Sequence, residues 1–515
     1  MYRRDLALGL LSLPFLNLLL SGRVAAAPGG IQLGEQAPFD PASVHEMARK
    51  LASEDYQPPE NQLPAVLRDL SYDQQRQIRF KPEMALWRGQ GLEAEVQFFH
   101  LGHQYRTPVH VYEVAEGFSR EVLYAPELFD FGSNQIDTKF SEHLGFAGFR
   151  LHGPLNRPDY LDEIAVFLGA SYFRALGRNQ HYGLSARGIA INTGLPDGEE
   201  FPAFQAFWLE RPAPGWQQLV VHALLNGPSL TGAYTFILRP GATTVMDVRG
   251  KLYVRQAVGL LGIAPLTSMF LFGANDRVGV DDFRPDVHDS EGLQIWTGRG
   301  EWLWRPLVNP NELRISVFAD ENPRGFGLLQ RTRDFEAYED LEARYDLRPS
   351  LWVEPQSAWG QGDVRLIELP TDLEVHDNIV AFWAPKQAVE AGSEWQLDYR
   401  LYWCVNAPFR PDVAKTAATR TGAGGAPGDS DARRFVIDFE GGQLLNVPDG
   451  APVEAAVWVS RGEITQPVTH KNPITGGWRA FFDLKPDGDG PVELRCVLRF
   501  GEDVLSETWT YQWTR

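Results

Sequence analysis

The chain has 515 residues, of which 43% are hydrophobic and 22% are charged. These are proportions of a folded globular protein, and they exclude collagen, a long coiled coil and an extended disordered chain. The formal net charge of −19 argues against a general binder of nucleic acid or anionic membranes, because both need clustered lysine and arginine. A neutral or cationic ligand fits this charge better. The length predicts two or more domains.

Residues 1–27 are typical of an export signal peptide. Arg3 and Arg4 form a basic start, Leu6–Leu20 is an apolar stretch too short to span a bilayer, and Ala25–Ala27 supplies the small residues of a cleavage site. The paired arginines favour the twin-arginine route, with an ordinary Sec signal as the alternative. We therefore expect a mature protein with no membrane span, located in a bacterial periplasm.

After the signal peptide, two short helices are predicted, the first beginning at Asp40-Pro41 and the second at Ser71. The pattern then changes. Short segments rich in Val, Phe, Tyr and Thr, such as Glu95–His100 and Thr244–Val248, alternate with Gly, Pro, Asn and Asp. This pattern predicts an all-β fold whose first domain, residues 38–404, is a large antiparallel sandwich.

Residues 405–434 contain few large apolar side chains and include the glycine-rich run Gly422–Gly428, so we predict a linker there. Short strands resume over residues 435–515, a length that suits an immunoglobulin-like sandwich. The alternative is that this tail completes the first sandwich. The two cysteines, Cys404 and Cys496, are predicted to be separate buried thiols, and a single bridge between them is the alternative.

Residues 286–403 concentrate aromatic and acidic side chains, as expected of a carbohydrate site. Aromatic rings stack on the apolar faces of a sugar, and carboxylates and arginines pair with its hydroxyls. Two carboxylates are the minimum for hydrolysing a glycosidic bond. A single tryptophan nevertheless lies more often in the hydrophobic core than in a ligand-binding site, and a single acidic side chain usually lies on the surface. No phosphate loop, dinucleotide motif or metal-binding spacing is present, so no cofactor or metal is predicted.

Long stretches of the chain resemble the OpgG/OpgD family of periplasmic glucan biosynthesis proteins. The resemblance covers nearly all of the mature chain, and the paired arginines favour the OpgD branch. It implies a galactose-mutarotase-like β-sandwich followed by a smaller immunoglobulin-like sandwich. The stretches that carry it include LGFAGFRLHGPL from Leu144, VFLGASYFRALG from Val166, HDSEGLQIWTGRGEWLWRPL from His288, RPSLWVEP from Arg348 and HDNIVAFWAP from His376.

The resemblance also implies a function, the synthesis of osmoregulated periplasmic glucans with a backbone of β-1,2-linked glucose. OpgD-type members act as inverting β-1,2-glucanases. Matched position by position, the general acid falls on Asp377 and the general base on Asp289. We expect burial to raise the pKa of Asp377 and Asp289 to stay ionised. The residues that fall in matching stretches as substrate contacts are Tyr345, Arg348, Trp352 and Glu354.

One segment departs from the family pattern. Some relatives carry a longer, tryptophan-containing insertion after the motif that matches Thr419–Gly422, where this chain has only AGGAPGDSDA. A shorter loop favours the alternative function, a non-catalytic glucan-binding protein that presents nascent chains to other enzymes. The loop also bears on subunit contacts, so a homodimer stays open. An epimerase or mutarotase is a weaker third alternative, because it rests on fold analogy alone.

Overall fold

The computed structural model describes residues 25–26, 30–59, 63–140, 142–425, 431–448, 450–465 and 467–515. The predicted signal peptide lies outside these residues except for Ala25–Ala26, a short strand paired with Gln32 and Leu33. No helix in the described ranges is long and apolar enough to cross a membrane. Strands dominate the described chain, so the predicted all-β fold is confirmed.

The described residues form three α-helices, Pro41–Ala52, Ala65–Arg68 and Tyr72–Gln77. Both predicted helix starts are confirmed. The carboxylate of Asp40 accepts a hydrogen bond from the backbone N–H of Ala42 at 2.8 Å, and Ser71 and Gln74 cap each other's backbone. The same residues include five short 3₁₀ turns, Pro82–Met84, Pro126–Leu128, Phe335–Ala337, Tyr345–Leu347 and Gly442–Asn446.

The larger sheet contains seventeen of the described strands. Most neighbours pair antiparallel, and the sheet begins in the first sandwich and ends in the second. In spatial order its strands are Ala25–Ala26, Gln32–Pro38, Phe118–Val122, His110–Ala115, Ala203–Glu210, Leu219–Asn226, Leu230–Arg239, Thr244–Val254, Glu394–Cys404, Ser350–Pro355, Gly325–Leu329, Gly292–Trp296, Trp302–Pro306, Thr508–Trp513 and Val492–Phe500, the last of which pairs with both Glu454–Val459 and Asp503–Val504.

A ten-stranded sheet packs against the first part of the larger one. Its alternate side chains point into a shared apolar core. Phe173 of this sheet lies 5.0 Å from Phe236 of the other, measured between ring centroids. The strands, in spatial order, are Glu95–Phe99, Gly148–Pro154, Leu161–Leu168, Tyr172–Ala175, Ser185–Arg187, Leu261–Ser268, Ile379–Pro385, Gln361–Glu368 and Arg314–Glu321, with Ala190–Ile191 beside Leu261–Ser268.

The C-terminal sandwich has its own core and a five-stranded sheet of Lys415–Ala423, Arg433–Glu440, Trp478–Lys485, Glu463–Ile464 and Val468–Lys471. Within the predicted linker 405–434, residues Lys415–Ala423 are therefore a strand, paired with Arg433–Glu440. Small residues fit here because only one face of this strand is packed, and Thr416 and Thr419 are buried. Two further pairs are Arg79–Phe80 with Phe129–Asp130 and Phe270–Phe272 with Val287–His288.

The two sandwiches share one sheet at a parallel joint. Leu303 pairs with Thr508 and Trp304 with Trp509. Beside the joint, Arg331 forms an ion pair of 2.6 Å with Glu507, which is fully buried. The Arg331 guanidinium also lies 3.5 Å from the Trp304 ring centroid. The tail therefore extends the sheet of the first sandwich and packs its core against Trp302, Trp304 and Trp352 of that sandwich.

The two cysteines are buried free thiols, as predicted. Cys404 ends strand Glu394–Cys404 of the first sandwich, and Cys496 lies in the core of the second. Burial raises the pKa of each thiol to about 12. Neither is therefore a reactive thiolate at neutral pH.

Candidate functional site

Asp289 directly follows the short strand Val287–His288, and its neighbours hold it in place. Its backbone N–H donates to the carbonyl of Met269 at 2.8 Å. The ring of His288 stacks on Phe270 with centroids 5.2 Å apart, and the hydroxyl of Ser290 lies 2.8 Å from that of Ser268. Asp289 itself is only 4% exposed. The site therefore contains a carboxylate at a fixed position in a largely dry setting.

Arg348 is the cationic partner of Asp289. Its guanidinium forms an ion pair with that carboxylate and lies 4.3 Å from the ring centroid of Tyr345. Gly183 allows the neighbouring loop to approach, since a Cβ at this position would lie 3.0 Å from the Arg348 side chain. Burial raises the pKa of Asp289, Arg348 opposes this rise, and the charge of Asp377 adds to it. The two predicted catalytic acids are thus electrostatically coupled.

Asp377 lies at the end of the loop between strands Gln361–Glu368 and Ile379–Pro385. The nearest cation is Arg174, whose Nη2 is 3.6 Å from the Asp377 carboxylate. The next residue, Asn378, fixes the loop by accepting from the N–H of Phe270 at 2.9 Å and donating to its carbonyl at 3.0 Å. The positive charge of Arg174, like that of Arg348, opposes the rise in the pKa of Asp289. Asp377, Arg174, Asp289 and Arg348 therefore form one charge network.

The predicted burial of Asp377 is wrong, because its side chain is 34% exposed. Asp289 is the buried acid, and burial raises its pKa. That Asp289 stays ionised remains a prediction. The reason is position in the fold: Asp377 occupies a loop, while Asp289 leaves a strand between packed aromatic rings.

Sequence reasoning missed Glu374, Arg284 and Arg174. The hydroxyl of Tyr345 donates to Glu374 at 3.1 Å, and Arg284 donates to the same carboxylate at 2.8 Å. Glu374 lies just before the matching stretch that begins at His376. Its position three residues from Asp377 could have indicated from the sequence that it belongs to the site. Arg174 lies inside the stretch VFLGASYFRALG and carried no separate signal.

Trp352 and Glu354 are not brought to this network. Trp352 is fully buried and contacts Trp302, with ring centroids 6.0 Å apart, in the core shared with the C-terminal sandwich. Glu354 accepts a hydrogen bond from the Tyr402 hydroxyl at 2.6 Å. The two residues share a strand face, because they are two apart, and that face is opposite to the one that Leu351 uses in the first core.

No metal centre is evident in the described part of the chain, where no three His, Cys, Asp or Glu side chains converge. The site instead offers carboxylates, guanidinium groups and a phenol. These groups accept from, and donate to, the hydroxyls of a neutral polyol. They also include two acids in different surroundings, one buried and one open, as acid–base chemistry requires.

The chain matches known proteins along nearly its whole length. A family model described as "Periplasmic glucan biosynthesis protein, MdoG" matches residues 39–513. Glucans biosynthesis protein G of Rhodopseudomonas palustris is 51% identical, with both chains covered completely. Glucans biosynthesis protein D 1 of Ralstonia nicotianae is 47% identical over 100% of this chain and 99% of its own length.

Glucans biosynthesis protein D of Stenotrophomonas maltophilia is 45% identical, over 99% of this chain and 95% of its own. Relatives with both names match at similar identity, so preference for the D branch stays a prediction that rests on the paired arginines. The resemblance found in the sequence stretches is confirmed at the level of the family. This chain belongs to the MdoG family of periplasmic glucan biosynthesis proteins.

Proposed function

We propose that this protein acts in the periplasm and controls the glucan backbone by inverting hydrolysis of β-1,2-glucan. Membership of a periplasmic glucan biosynthesis family supports the pathway and the compartment. One observation supports the chemistry. Asp289 and Asp377, far apart in sequence, meet in a single charge network with Arg174 and Arg348.

In this proposal Asp377 is the general acid. Its carboxyl is open to solvent in the free protein, and a glucan bound across the loop would cover it. Loss of solvent favours the neutral form of a carboxyl group, so binding itself would help Asp377 hold the proton that the departing glycosidic oxygen needs.

Asp289 is the proposed general base. Burial favours its neutral form, and the ion pair with Arg348 favours the carboxylate. The carboxylate accepts a proton from the attacking water, directly or through a short relay, while the water adds to the opposite face of the sugar. Tyr345, Glu374 and Arg174 are placed to bind sugar hydroxyls around the two acids.

The alternative is a glucan-binding protein without catalysis. The exposure of Asp377 and the short loop after Gly422 favour it. The experiment that separates the two is incubation of the purified mature protein with linear β-1,2-glucan, with products followed by chromatography and the first-formed anomer followed by NMR. Binding without any hydrolysis would favour the alternative function.

The catalytic assignment is tested by Asp377→Asn and Asp289→Asn. Each should lower turnover by about 10²–10⁴-fold, the usual contribution of general acid–base catalysis, while glucan binding persists. Asp372→Asn is the matched control, because Asp372 is an exposed acid in the same loop. Circular dichroism checks that each variant is folded. Unchanged turnover in a folded Asp377 or Asp289 variant would refute the assignment.

A further inference from the structure

A cavity lies where the two sandwiches meet. This junction cavity has a volume of about 590 Å³, within the range of small-molecule sites. One wall comes from residues 271–280 and 308–314 of the first sandwich, and the other from residues 421–423, 431–433 and 511–515 of the second. None of the six residues of the proposed catalytic site, Asp289, Asp377, Tyr345, Arg348, Glu374 and Arg174, lines it.

The lining of the junction cavity carries both signs of charge. Asp276 lines it, and its carboxylate accepts a hydrogen bond from the backbone N–H of Asn309 at 2.9 Å. Arg314 and Arg433 line the same space. Nη2 of Arg433 donates to Thr421 at 2.6 Å, but its Nε is buried without a hydrogen-bond partner among the described residues. The two guanidinium groups on the cavity wall favour a ligand that brings hydrogen-bond acceptors.

The same lining combines amides and aromatic rings with these charges. Asn311 offers both donors and an acceptor, and Tyr511 and Trp513 offer rings. Asp276 would repel a small anion in the cavity, and the two arginines would repel a small cation. A saccharide avoids this conflict, because each hydroxyl both donates to carboxylates and accepts from guanidinium groups.

We propose that the junction cavity is a second binding site for the glucan chain, separate from the site that contains Asp289 and Asp377. The inference rests on the proposed function for the identity of the ligand. The two sites are linked through Asn309, whose side chain donates to the Thr371 carbonyl at 2.8 Å and accepts from the Thr371 N–H at 3.0 Å. Thr371 begins the loop that ends at Asp377, so a long glucan held in the cavity lies beside the catalytic loop.

The test counts binding sites in the Asp377→Asn variant, which leaves the probe uncut. Titration calorimetry with a short linear β-1,2-gluco-oligosaccharide should find two sites per chain. Adding Arg433→Met should remove one site and leave the affinity of the other unchanged. Arg420→Met is the matched control, because Arg420 lies on the strand paired with that of Arg433 and forms an ion pair with Asp438, and neither residue lines the cavity. It should retain both sites.

Asn311→Ala gives a second variant with little risk to the fold, because Asn311 is exposed. Losing its hydrogen bonds should weaken the second site by about tenfold. In the otherwise unchanged protein, Arg433→Met should keep turnover on short oligosaccharides and raise the KM for long glucan. One site in every variant, with normal hydrolysis, would overturn this inference alone. Two sites without any hydrolysis would instead refute the catalytic proposal.

Discussion

Asp289 combines burial, a paired arginine and a neighbouring acid, and its protonation is therefore sensitive to each of them. Desolvation is the largest influence and raises its pKa, while Arg348 is the largest opposing one. Asp377 adds a like charge. The protonation of this single residue should therefore govern the acidic side of the pH profile.

Replacing Arg348 with glutamine tests this dependence. Without the cation, the pKa of Asp289 should rise further. A general base must be deprotonated, so the acidic limb of the kcat/KM profile should move to higher pH. Arg365→Gln is the control, since Arg365 pairs at 2.6 Å with Asp363 on the same strand. An acidic limb that stays in place in Arg348→Gln would contradict the assignment of Asp289 as base.

Glu368 offers a second pH test, away from the chemistry. It is 1% exposed, one oxygen accepts from the Val308 N–H at 2.9 Å, and the other lacks a partner in the described residues. Burial raises its pKa from 4.5 to about 7, and Arg305 opposes the rise. Between these values the folded state holds a proton that the unfolded state has lost. Stability therefore falls as pH rises through this window and levels off above it.

Glu368→Gln should remove this dependence while keeping the bond to Val308. The free energy of unfolding of the variant minus that of the wild type should be about 3 kcal/mol larger at about pH 8 than at about pH 4. Urea unfolding at both pH values measures the change. Glu312→Gln, at an exposed acid, should show no such gain. An equal pH dependence in the wild type and Glu368→Gln would show that Glu368 does not titrate in this range.

The loop between Glu368 and Ile379 is an element held mainly by two asparagines. Asn378 bonds to the backbone of Phe270. Asn309 bonds to the backbone of Thr371 and also donates to the Leu271 carbonyl at 3.1 Å. A loop anchored at both ends keeps its central acids at fixed positions, and catalytic rates depend steeply on such positioning.

Asn309→Ala should therefore lower kcat by about ten- to a hundredfold, although Asn309 donates no proton to the glucan. Steady-state kinetics measures the effect, and a thermal unfolding curve reports the stability change separately. Asn472→Ala is the control, because Asn472 makes comparable bonds to the backbone of Ile474 and Thr475 in a turn of the C-terminal sandwich. A kcat equal to that of the control would show that Asn309 has no positioning role.

Elements with local signals were predictable from sequence. The caps at Asp40 and Ser71 are set by neighbouring residues, and most strands follow from alternation and turn residues. The strand Lys415–Ala423 was missed because its small residues are typical of a linker, while its pairing partner fixes its conformation. Local composition does not report such pairing.

The candidate site, too, could be predicted from the sequence only in part. Asp289, Asp377, Tyr345 and Arg348 were found through matching stretches, and the structure joins them through Arg174 and Glu374. The placement of Trp352 and Glu354 was not predictable. Spacing shows that they share a strand face, but not that a second sandwich covers it. Likewise, the exposure of Asp377 depends on loop packing and not on neighbouring residues.

At the scale of the whole molecule, Arg331 and Glu507 tie the two sandwiches together. Glu507 also accepts from the N–H of Thr416 at 2.6 Å. Arg331→Met would leave this buried carboxylate without its cation, so the free energy of unfolding should fall by about 3–5 kcal/mol. Urea unfolding followed by tryptophan fluorescence measures it.

The control is Arg157→Met, which removes an ion pair with Asp159 in which both side chains are exposed. A surface pair contributes about 0–1 kcal/mol. If Arg331→Met cost no more than this control, the junction would not depend on the buried pair. A broadened or two-step transition in Arg331→Met would show that the sandwiches had begun to unfold separately.

The parallel joint also sets the order in which the molecule is completed during synthesis. Strand Trp302–Pro306 finds its first neighbour, Gly292–Trp296, just before it in the chain, but its other neighbour is Thr508–Trp513. A ribosome-bound or truncated chain that lacks these last residues leaves a hydrophobic strand edge open, which is a template for aggregation. Premature stop codons between Pro306 and Thr508 should therefore yield insoluble protein, even where the proposed catalytic site is encoded in full.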